Sequence, residues 1–387
     1  EDFKGFRNCN ILTENGIKKT GLIQKNGIIE KIGDLISDDL LELPDDFVVL
    51  PGFIDIHVHG CEGSDSMDGT IEDIKTVADG LAKNGTTAFL ATTMSQSEEK
   101  IGKSLKSIKA YIDKKYESGA KVLGAHLEGP FLSSDFHGAQ PEEFLISPDK
   151  EMFKRFYKIS GHNIKVISIA PEKEGALELI SFIKSQNLIA SLAHTNSTYD
   201  DCVKALAAGA QNITHTYNAS KAFHHREVGI VGAALLLDEF YCELICDGIH
   251  ISEPAVKLLY KNKPKDKLIL ITDGMKAMNL SNGEFDLGGQ KVFVKNGEAR
   301  LKDGTLAGSV LKMNLGIKNL MKFVNISLED AVRCATENPA KSWGIFNKTG
   351  SIAEGKYANF AVVDKNLNVI FTIREGKYIY RKYSHSK

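Results

Sequence analysis

The chain lacks any Cys-x-x-Cys pair. Its six cysteines, Cys9, Cys61, Cys202, Cys242, Cys246 and Cys334, are scattered over 387 residues. That usage argues against a disulfide scaffold and fits a reducing compartment. No run of about 18 apolar residues occurs, which removes a membrane-spanning helix from consideration. The first stretch, "EDFKGFRNCN", carries no apolar signal core. A formal net charge of −2 leaves no broad basic field for nucleic acid and no basic tail for a membrane surface. A small anion needs only a few local cations and stays open. Neither G-x-G-x-x-G after the first strand nor G-x-x-x-x-G-K-[ST] is present, so nothing favours a nucleotide-binding open sheet. Repeats and low-complexity tracts are also missing. The expectation is a soluble, cytoplasmic protein with no nucleic-acid or membrane partner.

What is present alternates. Eight strand-like runs recur: "VVLPGFIDIHVH", "TTAFLATT", "KVLGAHLE", "IKVISIA", "LIASLAH", "NITHT", "CELICDG" and "KLILITDG". Helical patterns such as "TIEDIKTVADGLAKNG" and "EKEGALELISFIKSQN" lie between most of them. Strand and helix in turn imply parallel strands with helices outside, and eight units fit an α/β fold of the (β/α)8 TIM-like barrel type. Both ends differ from this middle. Asn15-Gly16 and Asn26-Gly27 mark hairpins near the start, and Lys365-Asn366 and Glu375-Gly376 mark turns near the end. Neither end has enough apolar surface to fold alone. We therefore expect residues 1–50 and 355–387 to build a small flanking β-sandwich domain from both termini. The barrel would occupy 51–354, with a β-hairpin insertion near 275–307 over its C-terminal mouth.

Polar residues end the strands. The first ends in His57 and His59, the third in His126 and Glu128, then come His194, His215, Asp247 and Asp273. Residues i and i+2 of a strand share a face, so His57 and His59 present two imidazoles to one point. A lone histidine at a strand end is ordinarily a hydrogen-bonded structural residue, and a lone aspartate is often a helix cap. Those readings would have to hold separately at every one of these strand ends. Imidazoles with one or two carboxylates and no soft ligand suit Zn²⁺ or another borderline divalent ion.

The stretches "PGFIDIHVHG", "HLEGPF", "LAHTNSTYDD", "ITHTYNAS", "HHREVG", "DGIH", "ITDG", "LAGS" and "ATENPA" together resemble the amidohydrolase superfamily. Within it they resemble the N-acetylglucosamine-6-phosphate deacetylase family, over nearly the whole chain. The resemblance implies hydrolysis of the acetamide of N-acetyl-D-glucosamine 6-phosphate, in amino-sugar catabolism and cell-wall recycling. It places Glu128, where other amidohydrolases carry a carboxylated lysine, with His194 and His215 around one metal. His57 and His59 would hold a second, bridged by Glu128. One or two divalent ions are implied, zinc first, with iron, manganese or cobalt as alternatives. Asp273 is the implied general base and then acid.

The same resemblance assigns the phosphate to backbone groups of Asn218 and Ala219 and to Arg226. That arginine would reach the neighbouring site of a homodimer. His250 would orient the sugar and the carbonyl. Leu306, Ala307, Gly308 and Ser309 would line the sugar pocket. Gln140 stands where the family often has histidine, Val228 where proline is common, and Gly274 where alanine is common. His126 reads equally as support for a ligand or as core, and Asp247 as support for His250 or as a cap. His224 and His225 read as phosphate neighbours or as a solvated loop, and His162 and His385 as surface residues. The competing readings are another amidohydrolase reaction (a dihydroorotase, hydantoinase or deaminase) and a metal-free structural homologue. The intact ligand set speaks against the last of these.

Overall fold

The computed structural model describes residues 3–382; His385 and the outermost parts of the expected terminal segments lie outside them. Eight parallel strands form the centre. They are β1 (Phe53–Val58), β2 (Thr86–Thr93), β3 (Lys121–Glu128), β4 (Ile164–Ile169), β5 (Ile189–Leu192), β6 (Asn212–Ile213), β7 (Tyr241–Ile245) and β8 (Leu268–Ile271). Each pairs with its sequence neighbour in one continuous sheet running from β1 to β8. The last rung comes from the segment just past β8. Val58 bridges Gly274, and the Asp273 N–H donates to the His57 carbonyl at 2.9 Å. The barrel thus closes at its C-terminal mouth.

Residues of β2 are buried throughout, as expected for a parallel strand covered on both faces. Alternate side chains divide into two sets. Phe89, Leu127, Ile167 and Leu244 belong to the large cluster packed against the helices. Ile54, Leu90, Val166, Ile189, Ile245 and Ile269 meet across the strands. The helices begin where the sequence offers caps. Thr70, Ser97, Asp149, Thr198 and Ser327 each accept a backbone N–H from the first turn.

The flanking part is a seven-stranded mixed sheet built from both ends of the chain. Its order is Lys377–Arg381, Val369–Arg374, Phe360–Val363, Val48–Pro51, Gly5–Thr13, Gly16–Lys25 and Ile28–Gly33. Asn26-Gly27 and Glu375-Gly376 are two-residue turns with positive φ at both positions, the geometry that a tight hairpin requires. Phe3, Phe6, Ile11, Leu22 and Phe360 fill its core. Arg374 fastens this sheet to the barrel. Its buried guanidinium donates to the carbonyls of Gly119 at 2.8 Å and Tyr116 at 2.7 Å, just before β3.

Between β8 and the final helices, Gly283–Leu287, Gln290–Lys295 and Glu298–Leu301 form a three-stranded antiparallel sheet. Its Leu287, Val292 and Ala299 pack on Met94 and Met275 at the mouth. Gln96 and Gln290 donate across this contact to Gly288 O at 3.0 Å and Ala139 O at 2.6 Å.

Replacing Arg374 with Met removes charged donors from buried carbonyls. We expect a loss of roughly 2 kcal/mol or more in unfolding free energy, read as a lower denaturant midpoint. An unchanged midpoint would show that the clamp contributes nothing.

Candidate active site

The mouth collects its polar residues by a repeated local device. His194, His215 and Asp273 each stand two residues past the end of their strand. All have left-handed φ, at 42°, 27° and 49°. For non-glycine residues that conformation costs about 1–2 kcal/mol each and clusters at functional sites. Surrounding bonds hold it. The Asp273 carbonyl accepts the Ser309 N–H at 2.8 Å, and the His194 carbonyl accepts the Ser133 N–H at 2.9 Å. His57 and His59 come from the end of β1, and Glu128 is the last residue of β3.

Glu128 stands at the centre. Its Oε2 lies 2.9 Å from His59 Nε2 and 3.3 Å from His57 Nε2. Its Oε1 lies 3.1 Å from both His194 Nε2 and His215 Nε2. One carboxylate therefore serves two histidine pairs, one oxygen to each. Asp273 Oδ1 approaches the first pair, at 3.2 Å from His59 Nε2 and 3.4 Å from His57 Nε2. All of these residues are buried.

The donor set fits metal. His194 Nε2 and His215 Nε2 face each other at 3.2 Å. Two nitrogens bound tetrahedrally to Zn²⁺ at ~2.05 Å stand ~3.3 Å apart. His57 Nε2 is fully buried, close to two carboxylates, yet makes no aligned hydrogen bond. Opposite Nδ1 atoms fix three of the rings. His57 donates to Glu243 at 2.9 Å, His59 to Thr92 O at 3.2 Å and His194 to Phe136 O at 3.0 Å. Such partners settle the tautomer and leave Nε2 for the ion.

Electrostatics follow from the same contacts. Burial opposes charge on His57 and His59, but Glu128 and Asp273 outweigh it. The His57 value is held well above the usual imidazole range and His59 is pushed up to about 10. Burial likewise opposes charge on Glu128 and Asp273, and is outweighed. His57 holds Glu128 well below the carboxylate range together with His194 and His215, and holds Asp273 there together with His59.

A cavity of about 170 Å³ opens above this cluster. Gln140, Asn218, Ala219, His250, Leu306 and Gly308 line it. Gln140 Oε1 accepts the Ser95 N–H at 2.8 Å, so its NH₂ is the end left to donate. His250 Nδ1 donates to Asp247 at 2.7 Å, and Asp247 also accepts the N–H groups of Ile249 and His250. Asp247 therefore supports His250 rather than capping a helix. The Asn218 N–H already donates to His215 O at 2.9 Å. Leu306 and Gly308 reach the cavity, whereas the side chains of Ala307 and Ser309 are buried away from its lining. Successive residues of an extended segment face opposite ways.

Arg226 is not brought to this cavity. It is exposed, with Nη1 2.8 Å from His225 Nε2, on a loop where His224 and His225 lie ring to ring at 4.3 Å. His126 is core. Its nitrogens meet Ile56 O at 3.1 Å and Ser168 Oγ at 2.7 Å, and burial lowers its pKa to about 3. A Cβ at Gly274 would sit 2.0 Å from Met278 Cε, so an alanine there would require the Met278 side chain to move.

Two buried carboxylates escape a reading by strand ends. Glu243 lies in the middle of β7, and Asp55 in the middle of β1. Burial pushes Asp55 up to about 7 while the Thr272 hydroxyl donates to it at 2.5 Å, tying β1 to the segment after β8. A lone acidic residue inside an otherwise apolar strand run was the available signal for both.

An eight-stranded barrel with imidazoles gathered around a carboxylate at its C-terminal mouth defines a hydrolase of the amidohydrolase class, and the model of the Amidohydrolase family matches residues 48–379. The N-acetylglucosamine-6-phosphate deacetylase of Bacillus subtilis (strain 168) is 42% identical over 374 residues, 95% of this chain and 94% of that protein. The crystal structure of the Thermotoga maritima deacetylase of the same name superposes with a TM-score of 0.88 at 34% identity, covering 98% of this chain and 100% of that one. An aspartate-to-alanine variant of the Mycobacterium smegmatis deacetylase, in complex with N-acetyl-D-glucosamine-6-phosphate, gives 0.92 at 26% identity, covering 98% and 100%. The chain belongs to the N-acetylglucosamine-6-phosphate deacetylases of the amidohydrolase family.

Glu128 and Asp273 hold His57 and His59 toward their protonated forms in metal-free protein. Metal must displace those protons. Zinc added to chelator-treated protein in weak buffer should release at least one proton per chain, and apparent affinity should climb between about pH 6 and pH 9. Uptake without proton release, and with no pH dependence, contradicts this electrostatic account.

Proposed function

We propose that the chain hydrolyses the acetamide of N-acetyl-D-glucosamine 6-phosphate to D-glucosamine 6-phosphate and acetate. The observation that carries this reading is the split engagement of Glu128, one oxygen toward each histidine pair, at the base of a cavity that Asp273 enters. His57, His59 and Glu128 would hold one divalent ion, and Glu128, His194 and His215 a second. We take zinc as the first choice, with iron, manganese or cobalt fitting the same donors. Such an ion supplies Lewis acidity, which polarises a carbonyl and lowers the pKa of water toward ~7.

The protein's own groups do the rest. Asp273 enters the cavity as a carboxylate, so it can accept a proton from the attacking water. As the new C–O bond forms and the C–N bond breaks, Asp273 returns that proton to the amine nitrogen, which leaves neutral. His250 offers Nε2 to the acetamide or the sugar, because Asp247 fixes its Nδ1–H. Gln140 offers its amide NH₂ to a sugar hydroxyl or phosphate oxygen. The Leu287 and Leu306 side chains give the cavity an apolar wall.

Arg226 is exposed and outside its own chain's cavity, which supports a homodimer in which it reaches the partner's phosphate site. Its planar fork matches phosphate oxygens. All six cysteines are free and buried, which supports a cytoplasmic location. Among the described residues no helix is long and apolar enough to cross a membrane.

The direct test is acetate release by metal-reconstituted protein from N-acetylglucosamine 6-phosphate and from N-acetylglucosamine, side by side. Fast release from the phosphate ester alone is expected; release from neither, in metal-loaded protein, overturns the substrate assignment. Asp273→Asn should keep its metal and lose at least ~10²-fold in kcat. Near-normal turnover in that variant removes Asp273 from the mechanism. Arg226→Ala should raise KM for the phosphate ester by roughly 10-fold or more, with kcat little changed.

A further inference from the structure

We propose that Glu243 is a positioning residue for the His57/His59 side of the site: it holds the His57 ring so that Nε2 faces the ion position, and so sets how tightly that side keeps its metal. This rests on the two-ion reading above. Glu243 is fully buried in the middle of β7. Its backbone is fixed by pairing with Ile269 of β8 and by its carbonyl, which accepts the Thr216 N–H at 2.8 Å. Its Oε1 accepts from His57 Nδ1 at 2.9 Å.

The other imidazoles are served differently. His59 and His194 donate Nδ1–H to the neutral carbonyls of Thr92 and Phe136, and His215 Nδ1 has no hydrogen-bond partner. Among the four, His57 alone donates its Nδ1–H to a carboxylate. Among the described residues, no lysine or arginine pairs with Glu243, and its Oε2 is buried without a partner. A buried carboxylate in that state is costly unless positive charge lies near. The positive charge available is on the His57 side, as a proton on the ring without metal or as an ion facing its Nε2.

His57, His126 and Glu243 also lie close enough together to suggest a separate ion site. That reading fails on chemistry. Both His126 nitrogens are engaged, by Ile56 O and Ser168 Oγ, and His57 Nδ1 already donates to Glu243. Glu243 therefore acts through His57. A carboxylate behind a ligating histidine fixes its tautomer and ring angle and raises its basicity, and removing such a partner typically costs 10–100-fold in metal affinity.

Two variants separate orientation from bulk. Glu243→Leu removes the acceptor, while Glu243→Gln keeps an acceptor oxygen of the same reach and loses the charge. Each is equilibrated with buffered free Zn²⁺, counted for zinc per chain, and examined by anomalous scattering in crystals to see which position is filled. Glu243→Leu should lose zinc affinity by about 10–100-fold on the His57/His59 side and keep it on the His194/His215 side. Glu243→Gln should recover most of the loss. Wild-type occupancy of both positions in Glu243→Leu overturns the proposal, as does equal loss from both, which marks a merely structural role. A wild-type protein that leaves the His57/His59 side empty contradicts the two-ion reading itself.

Discussion

One carboxylate, Glu128, must satisfy four imidazoles at the buried base of the mouth. Its two oxygens each face two Nε2 atoms within 2.9–3.3 Å. A buried carboxylate that close to so many ring nitrogens is stable only with positive charge between them, as protons or as metal. The rest of the mouth follows from that demand. The rings must turn their Nε2 atoms inward, so their Nδ1 atoms need acceptors behind them. Glu243, Thr92 O and Phe136 O provide these for three of the four.

The same demand reaches the backbone. His194, His215 and Asp273 adopt left-handed φ values that strand geometry alone would not give. Asp273 shows how the strain is held. Its N–H and carbonyl are both engaged, by His57 O and Ser309 N–H, in the rungs that close the barrel. Closure of the sheet and placement of Asp273 are one structural event. The three-stranded insertion then covers the opening, placing Leu287 and Leu306 against the cavity.

Much of this was legible in the sequence because the relevant signals are local. Alternating strand and helix patterns announce a barrel. His57 and His59, two apart at a strand end, announce a shared face. Glu128, His194, His215 and Asp273 could be grouped because a barrel brings all strand ends to one mouth. Glu243 was not legible by that logic, since it lies mid-strand in an apolar run and its meaning depends on a ring contributed by β1. Asp55 escaped for the same reason. "LAGS" was readable as a stretch but not residue by residue, because which side chains face the cavity depends on how the segment lies beside Asp273. Arg226 is legible only as a cation in a motif; within this chain it lies on an exposed loop outside the cavity.

The most direct test of this account is a zinc count with positional assignment in Glu128→Gln, beside wild type. If Glu128 joins two ion positions, wild type holds two zinc ions per chain and the variant loses affinity on both sides together. Loss on one side only, with the other pair of histidines still filled, would contradict the bridging role on which the site is built.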